Sequence, residues 1–333
     1  MDHALLRRYR AEDLVRLRSP AERQRYAASQ RRGRVDPNPH QIDAVMFALR
    51  RIPDGGCILA DEVGLGKTIE AGLVICQMLA EGANRIALIL PRPLVGQWRS
   101  ELYSLFGVET KEVDGPESLL GSGVFVMGRE FAGGERGASL LRTATAFDLA
   151  VIDEAHEIFA GIYKRYNSDG TYDESSKLAR LAARVKASLG MTPVLLLTAT
   201  PIQNSLTELW GLVQYVEPTG TLLGNLGTFR ALFCEPGSAD RSLIREQAEE
   251  LRHRVNQVCQ RTLRRQAAEF LERPFTARSA KLFEYQMTAA EQKLYDEVTQ
   301  YLLEPRLCAF QGNSRRLLLI SFHRLMASSL PGR

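Results

Sequence analysis

Apolar runs of strand length recur along the first two hundred residues, and segments with helical periodicity lie between most of them. The runs cover residues 56–60, 86–90, 124–127, 149–152 and 194–197. The second and fifth show no alternation of apolar and polar positions, which is typical of strands buried on both faces. Strands that alternate with helices predict an α/β fold, a parallel sheet with helices on both faces.

Helical spacing of apolar residues predicts the elements between these strands. Ile42, Val45 and Leu49 follow the break at Pro39 and indicate a helix over residues 40–51. Further helices are expected at 69–79, 176–188 and 206–215, and a long charged helix at 242–269. Residues 161–177 are polar, rich in tyrosine and prone to turns, so they predict a loop at the functional edge of the sheet.

The pattern also divides the chain. Residues 281–287 alternate as a strand does, and Thr288 with Glu291 forms a capping box that opens a helix to about residue 303. We therefore predict a basic helical arm at 1–35, the main α/β unit at 36–277, and a linker with the first elements of a second unit at 278–333.

Charge is unevenly distributed along the 333 residues, although the net charge is only +4. Residues 1–34 carry ten arginines against four acidic residues, and residues 306–333 carry five arginines and no acid. Excess arginine suits contact with a phosphate backbone, and a solvated helix face is the alternative for the arm.

Composition bounds the class of protein. A hydrophobic content of 45% with 25% charged residues is typical of a soluble globular protein. The sequence holds no apolar run near the roughly 20 residues of a membrane span. The five cysteines, at positions 57, 76, 234, 259 and 308, have no metal-ligand spacing and predict free thiols in a reducing cytoplasm.

The most informative stretch joins the first apolar run to the helix at 69–79. Gly64 and Gly66 let backbone N–H groups approach phosphates, Lys67 supplies a mobile cation, and Thr68 offers a hydroxyl to Mg²⁺. The strict phosphate-loop pattern has glycine where this chain has Asp61, a departure that helicase-type ATPases tolerate.

Two further groups of polar residues follow apolar runs. Asp153 and Glu154 come directly after 149–152, where one carboxylate can orient Mg²⁺ through its water shell and the next can polarise an attacking water. His156 has no second His or Cys at ligand spacing, so we expect a coupling or structural role. Thr198 and Thr200 follow 194–197 and can hydrogen-bond the acidic pair; an ordinary turn is the alternative.

Taken in order, the segments Asp-Glu-Val-Gly-Leu-Gly-Lys-Thr-Ile (61–69), Asp-Glu-Ala-His (153–156) and Thr-Pro-Ile-Gln-Asn-Ser-Leu-Thr-Glu-Leu-Trp (200–210) resemble superfamily 2 helicase-like ATPases. Within these the chain is similar to the bacterial members of the Swi/Snf-type branch of double-stranded DNA translocases, over about residues 35–300. The resemblance implies a RecA-like lobe, ATP and Mg²⁺ as cofactors, duplex DNA as partner, and protein partners in a bacterial complex. Bacterial members include ATPases of RNA polymerase recycling and of phage defence.

The resemblance also assigns roles to residues of this chain. Gln41 matches the glutamine that reads adenine, and Lys67, Asp153 and Glu154 match the catalytic set. Trp98 and Trp210 are expected to be packing residues. The nucleotide-binding set is Gln41, Glu62, Gly64, Leu65, Gly66, Lys67, Thr68 and Ile69; Thr68 and Asp153 bind Mg²⁺; Arg92, Gln97, His156, Thr198 and Thr200 contact nucleic acid or couple it to the nucleotide.

Motors of this type have two RecA-like lobes, and the second supplies an arginine finger. The family's Gln-x-x-x-Arg-x-x-Arg segment does not occur within residues 278–333, where we predict the second unit to begin. Because such fingers are worth about 10³–10⁵ in rate, we expect this N-terminal portion to bind ATP and hydrolyse it slowly. A nucleotide-gated binding module without turnover and an RNA helicase are the alternative functions.

Overall fold

A computed structural model describes residues 35–159, 177–268 and 288–303, and residue 321. The chain divides into two compact units, Met1–Phe275 and Thr276–Arg333. Several predictions lie wholly or almost wholly outside the described residues: the arm at 1–35, the loop at 161–177, the strand at 281–287 and the position of Cys308. The three-part division into domains stays a prediction.

The first unit is built on seven parallel strands. The strands are β1 (Gly56–Leu59), β2 (Arg85–Leu90), β3 (Thr110–Glu112), β4 (Gly123–Gly128), β5 (Leu149–Ile152), β6 (Val194–Leu197) and β7 (Cys259–Gln260). Their order across the sheet is β3-β4-β2-β5-β6-β1-β7. The predicted parallel sheet is confirmed, and all five apolar runs form strands.

Helices connect the strands. In the first unit they are α1 (Pro39–Arg51), α2 (Lys67–Ala80), α3 (Val95–Phe106), α4 (Arg129–Ala132), α5 (Glu135–Thr143), α6 (His156–Phe159), α7 (Lys177–Leu189), α8 (Leu206–Val216), α9 (Leu226–Phe233), α10 (Ala248–Val255) and α11 (Arg264–Ala267). Short 3₁₀ turns occur at Ile52–Asp54, Arg92–Leu94, Glu117–Leu119 and Arg245–Gln247. None of the helices in the described ranges has the length and apolar character that a membrane crossing requires.

In the second unit, α12 (Ala289–Leu303) begins at the predicted capping box. The Glu291 carboxylate accepts from the Thr288 backbone N–H at 2.7 Å, and the Thr288 hydroxyl accepts from the Glu291 N–H at 3.3 Å. These bonds satisfy donors that a helix start leaves without partners.

The core consists of two apolar layers, one on each face of the sheet. Successive residues of a strand point to opposite faces, so Ile58 joins one layer and Leu59 the other. In the same way β6 contributes Leu196 to the first layer and Leu197 to the second. Central strands covered on both sides therefore need apolar residues at every position, which explains the missing alternation in the sequence.

Strand order brings three functional segments to one edge. β6 lies between β1 and β5, with Leu59 opposite Leu197 and Ile152 opposite Leu196. Because the strands are parallel, the residues that follow them emerge at the same carboxyl edge, where ligands of open α/β sheets bind. Thr198 thus lies between the loop after β1 and Asp153.

A close approach at Gly72 fixes α2 against α3. A Cβ atom at this position would lie 2.3 Å from Cε2 of Phe106, whose side chain is almost fully buried. Only glycine leaves room for the aromatic ring at that distance. This contact positions α3, which carries Trp98, relative to the helix that begins at the phosphate loop.

The prediction of one long helix over 242–269 is wrong. The segment forms the turn Arg245–Gln247, α10, the edge strand β7 and α11. The Ile58 N–H donates to Val258 O at 2.8 Å, and the side chains of Val258 and Cys259 are buried against the sheet. Pairing with the open edge of β1 therefore outweighs helix propensity here. The four cysteines in the described ranges are buried, and these four form no disulfide bond, as predicted.

Candidate nucleotide-binding site

The loop between β1 and α2 has the backbone conformation that a phosphate cradle requires. Gly64 and Gly66 have φ of 86° and 92°, in the left-handed region that favours glycine. A Cβ at Gly66 would lie 2.4 Å from Nε2 of Gln41. The helix α2 begins at Lys67, so its first N–H groups and the positive end of its dipole face the loop. The loop therefore has the backbone that the predicted cradle needs, and phosphate binding there stays a prediction.

Side chains hold the loop through its carbonyl oxygens. Lys67 Nζ donates to Asp61 O at 2.7 Å, and Leu65 O accepts from Gln41 Nε2 at 2.8 Å and lies 3.1 Å from His40 Nε2. The Gln41 Oε1 accepts from the Asn38 N–H at 2.9 Å. Gln41 is therefore buried beneath the loop with both ends of its amide bonded. The role of Gln41 in recognising adenine stays a prediction. To bind the adenine base, the amide would have to exchange its bonds to Asn38 and Leu65 for bonds to the base.

Two buried carboxyl groups lie under the same loop. Asp61 and Glu70 have no exposed surface, and Asp61 Oδ1 accepts from the Thr262 N–H at 2.6 Å. Burial raises the pKa of both groups, and the neighbouring Asp61 raises the pKa of Glu70 further. Among the described residues no N–H or O–H group donates to the oxygens of Glu70. Both pKa shifts favour the protonated, neutral form of the carboxyl, and the shift is larger at Glu70.

The acidic pair after β5 is held by two hydrogen bonds. Asp153 is 8% exposed; its Oδ1 accepts from the Glu154 N–H at 2.9 Å and its Oδ2 accepts from Trp98 Nε1 at 2.9 Å. Burial raises the pKa of the Asp153 carboxyl, and the Trp98 bond opposes that rise. Trp98 is buried as expected, but it is also a contact of the predicted Mg²⁺ ligand. The signal for this was its buried indole N–H, which needs an acceptor.

Glu154 has an unusual backbone. Its φ of 47° is one of three positive values at non-glycine residues within the described ranges, and such conformations cluster at functional sites. The Glu154 side chain is one-third exposed and lies 3.3 Å, through Oε2, from Nδ1 of His156. The carboxylate is therefore at the accessible edge while its neighbour Asp153 is buried.

His156 connects the acidic pair to the end of β6. Its Nδ1 lies 2.9 Å from the Thr198 hydroxyl, which accepts from the Thr200 N–H at 3.1 Å. Burial lowers the pKa of His156, which favours the neutral imidazole. Glu154, His156, Thr198 and Thr200 thus form one continuous network, the geometry that a coupling role needs.

The predicted nucleic-acid residues Arg92, Gln97 and Thr200 are exposed, whereas Thr198 is fully buried. Arg92 lies in the turn after β2, and Gln97 lies on α3, where its Nε2 donates to Glu101 at 2.8 Å. Both follow a strand that neighbours β5, so they lie at the same carboxyl edge. Their contact with nucleic acid stays a prediction.

The donor set fits a magnesium nucleotide. Thr68 and Asp153 offer a hydroxyl and a carboxylate, the oxygen ligands that Mg²⁺ accepts, and Mg²⁺ would neutralise developing phosphate charge when bound. Gly64, Gly66 and Lys67 would hold the phosphates. The roles of Glu62, Leu65 and Ile69 as nucleotide contacts stay predictions.

Replacing Trp98 by phenylalanine should weaken Mg²⁺-dependent ATP binding about tenfold, as loss of such supporting contacts typically does. Phenylalanine fills most of the space but leaves Oδ2 of Asp153 buried without its donor. Calorimetric titration of ATP at several Mg²⁺ concentrations measures this. Trp210→Phe is the matched control, because the Trp210 indole donates to Gly224 O instead. Equal Mg²⁺ dependence in both variants would contradict the assignment.

The parallel sheet, the glycine-lysine phosphate loop and the acidic pair at the carboxyl edge define the chain as an ATPase-type nucleotide-binding domain with a RecA-like fold. Residues 40–110 and 135–323 match the family described as SNF2-related domain, and the chain belongs to this family. The resemblance stated from the sequence motifs is thereby confirmed.

Curated relatives agree with this family. The chain is 31% identical to the uncharacterized ATP-dependent helicase YqhH of Bacillus subtilis over 68% of its own length and 36% of that protein. It is 31% identical to the RNA polymerase-associated protein RapA of Pseudomonas fluorescens over 60% of its own length and 20% of that protein. The chain thus spans about a third of the length of YqhH and about a fifth of the length of RapA.

Solved structures share the fold. The SWI2/SNF2 ATPase core of Sulfolobus solfataricus, in complex with double-stranded DNA, matches with a TM-score of 0.56 at 18% identity. The match covers 89% of this chain and 59% of that one. A second structure of the same core domain matches with a TM-score of 0.55. The RecA-like architecture expected from the motifs is confirmed.

Proposed function

We propose that this chain is the ATP-binding lobe of a DNA-dependent ATPase that moves along duplex DNA without separating its strands. The observation that carries the proposal is the network from Glu154 through His156 and Thr198 to Thr200. It connects a carboxylate beside the phosphate cradle to an exposed residue at the edge where Arg92 also lies. A change at the nucleotide can therefore reach the surface that contacts DNA.

Within the cradle each residue has a distinct role. Lys67 balances the negative charge of the phosphates, and Thr68 and Asp153 hold Mg²⁺. Glu154 orients the attacking water and accepts its proton, because it is the partly exposed carboxylate of the pair. Burial lowers the pKa of His156, which favours the neutral imidazole, and its Nδ1 contact with Glu154 makes His156 sensitive to changes at that carboxylate.

The duplex DNA partner is supported by the solved core domain that was captured with double-stranded DNA. A second partner, RNA polymerase, is supported by the similarity to RapA, an RNA polymerase-associated protein. We infer a role in RNA polymerase recycling on DNA in the cytoplasm, with phage defence as the other role open to bacterial relatives of this type. The second helicase lobe is the remaining partner, since the motor needs an arginine finger.

Steady-state hydrolysis by this chain should be slow, well below the roughly 1–10³ s⁻¹ of typical enzymes, and duplex DNA should still raise it. Phosphate release measured with duplex DNA, with RNA of the same sequence and with neither one tests this. Stronger stimulation by RNA would favour an RNA helicase. Nucleotide binding without any hydrolysis would favour a gated binding module. Several turnovers per second would contradict the need for a second lobe.

A further inference from the structure

The segment that follows β7 forms hydrogen bonds to three consecutive residues of the phosphate loop, Asp61, Glu62 and Val63. The Thr262 N–H donates to the Asp61 carboxylate at 2.6 Å, across 201 positions of sequence. The Arg264 N–H donates to the Glu62 carboxylate. The Arg264 guanidinium donates to Val63 O through Nε at 2.8 Å and through Nη2 at 2.5 Å.

The two hydrogen bonds from Arg264 to Val63 O determine how the Val63–Gly64 peptide unit is oriented. A trans peptide is planar, so its carbonyl and the following N–H point in opposite directions. Two donors from one guanidinium hold the Val63 carbonyl on the Arg264 side, and the Gly64 N–H therefore points away from Arg264. Glycine rotates easily, so without this contact the peptide unit at Gly64 has little to prevent it from turning over.

The Gly64 N–H is available to a ligand. Among the described residues it donates to no backbone acceptor. Gly66 is held in the same manner from another direction, because Gln41 bonds to Leu65 O and so orients the Gly66 N–H. Both glycine N–H groups of the cradle are thus preset by donors that bind the carbonyl of the preceding residue.

We propose that Arg264 is a positioning residue for phosphate binding, which acts by fixing the Val63–Gly64 peptide unit so that the Gly64 N–H faces a phosphate oxygen. The guanidinium itself does not contact the phosphate. The proposal rests on the proposed function in one respect, that the ligand is the polyphosphate of an adenine nucleotide. It assigns a role to Arg264 in the Thr-Leu-Arg-Arg segment at 262–265.

Arg264→Ala should weaken binding of Mg-ADP and Mg-ATP about tenfold, the range expected when a charge-assisted hydrogen bond is lost. Arg264→Lys keeps the charge but cannot donate twice to one carbonyl, so it should recover only part of the affinity, to about threefold below wild type. The matched control is Arg265→Ala, which removes an exposed neighbouring arginine and should stay within about twofold. Calorimetry measures the affinities, and thermal unfolding checks that each variant folds.

A second readout follows the peptide unit itself. With ¹⁵N-glycine labelling, the Gly64 amide resonance of the 333-residue chain should move in Arg264→Ala and stay in place in Arg265→Ala, while the Gly66 resonance moves less. An unmoved Gly64 resonance would overturn the proposal. So would wild-type affinity for ADP in a folded Arg264→Ala chain. If Arg264→Ala does not fold, Arg264→Lys and Arg264→Gln are judged by the same two criteria.

Separate results test nucleotide binding by the chain and the positioning role of Arg264. If the wild-type chain binds neither ADP nor ATP, the proposed function is wrong, and the phosphate role of Arg264 falls with it. If the wild-type chain binds both nucleotides and Lys67→Ala does not, the site assignment holds. Equal affinity in the Arg264 variants would then overturn only the positioning role.

Discussion

Replacing Lys67 by alanine should abolish measurable ATP binding, a loss of at least about a hundredfold, while the fold stays intact. The ammonium group is the cation of the cradle, and charge-assisted hydrogen bonds to phosphate are about twice as strong as neutral ones. Lys67 is partly exposed, and among the described residues it donates only to Asp61 O, so its loss creates no cavity in the core. Calorimetry with Mg-ATP, together with thermal unfolding, measures both effects.

Lys111→Ala is the control for this experiment. Lys111 lies on the edge strand β3, where its Nζ donates to Ser122 O at 2.8 Å, away from the phosphate loop. Its removal should leave ATP affinity unchanged. Unchanged affinity in Lys67→Ala as well would count against the whole site, because no other lysine lies in the loop.

Replacing Glu154 by glutamine should preserve ATP binding and reduce hydrolysis by about 10²–10⁴, the usual contribution of a general base. Glutamine has the same shape and can retain the contact with His156, but it cannot accept a proton from water. The left-handed backbone at this position is as accessible to glutamine as to glutamate, so the loop should not rearrange. DNA-stimulated phosphate release and ATP calorimetry separate the two effects.

Glu157→Gln provides the matched change three residues further along. The Glu157 side chain forms an ion pair with Arg129 on the outside of α6. Its bond to the acidic pair is made by the backbone, where the Glu157 N–H donates to Glu154 O at 2.9 Å, and this bond does not depend on the side chain that is changed. The Glu157→Gln variant should retain the wild-type rate. If Glu154→Gln loses ATP affinity, then Glu154 is a structural residue and the water-activating role must be assigned elsewhere.

Sequence patterns predicted most of the strands and the local chemistry of the site, because both depend on neighbouring residues. Buried parallel strands read as unbroken apolar runs, and the glycines and Lys67 of the loop are contiguous with the helix that they open. Patterns failed where an element depends on distant partners. The edge strand β3 is polar and short, and β7 forms only because the side of β1 is open to it.

The same contrast holds within the site. Trp98 was predicted as a packing residue, yet it donates to Asp153, which lies 55 positions away. Arg264 lies 201 positions from Val63 in the sequence, yet its guanidinium donates to Val63 O in the phosphate loop. A buried indole N–H indicates that an acceptor is needed, but the residues next to Trp98 or Arg264 in the sequence do not identify the partner.

The sequence alone determined the phosphate loop and the acidic pair, because each is a contiguous motif that directly follows one strand. These motifs in turn determined the family. Only the tertiary structure decided how they are joined. The order β5-β6-β1 places Thr198 between the two motifs and lets His156 reach it. Long-range contacts then fix the rest: Thr262 and Arg264 hold the loop from outside, and Trp98 holds Asp153, because folding alone brings these residues within hydrogen-bond distance.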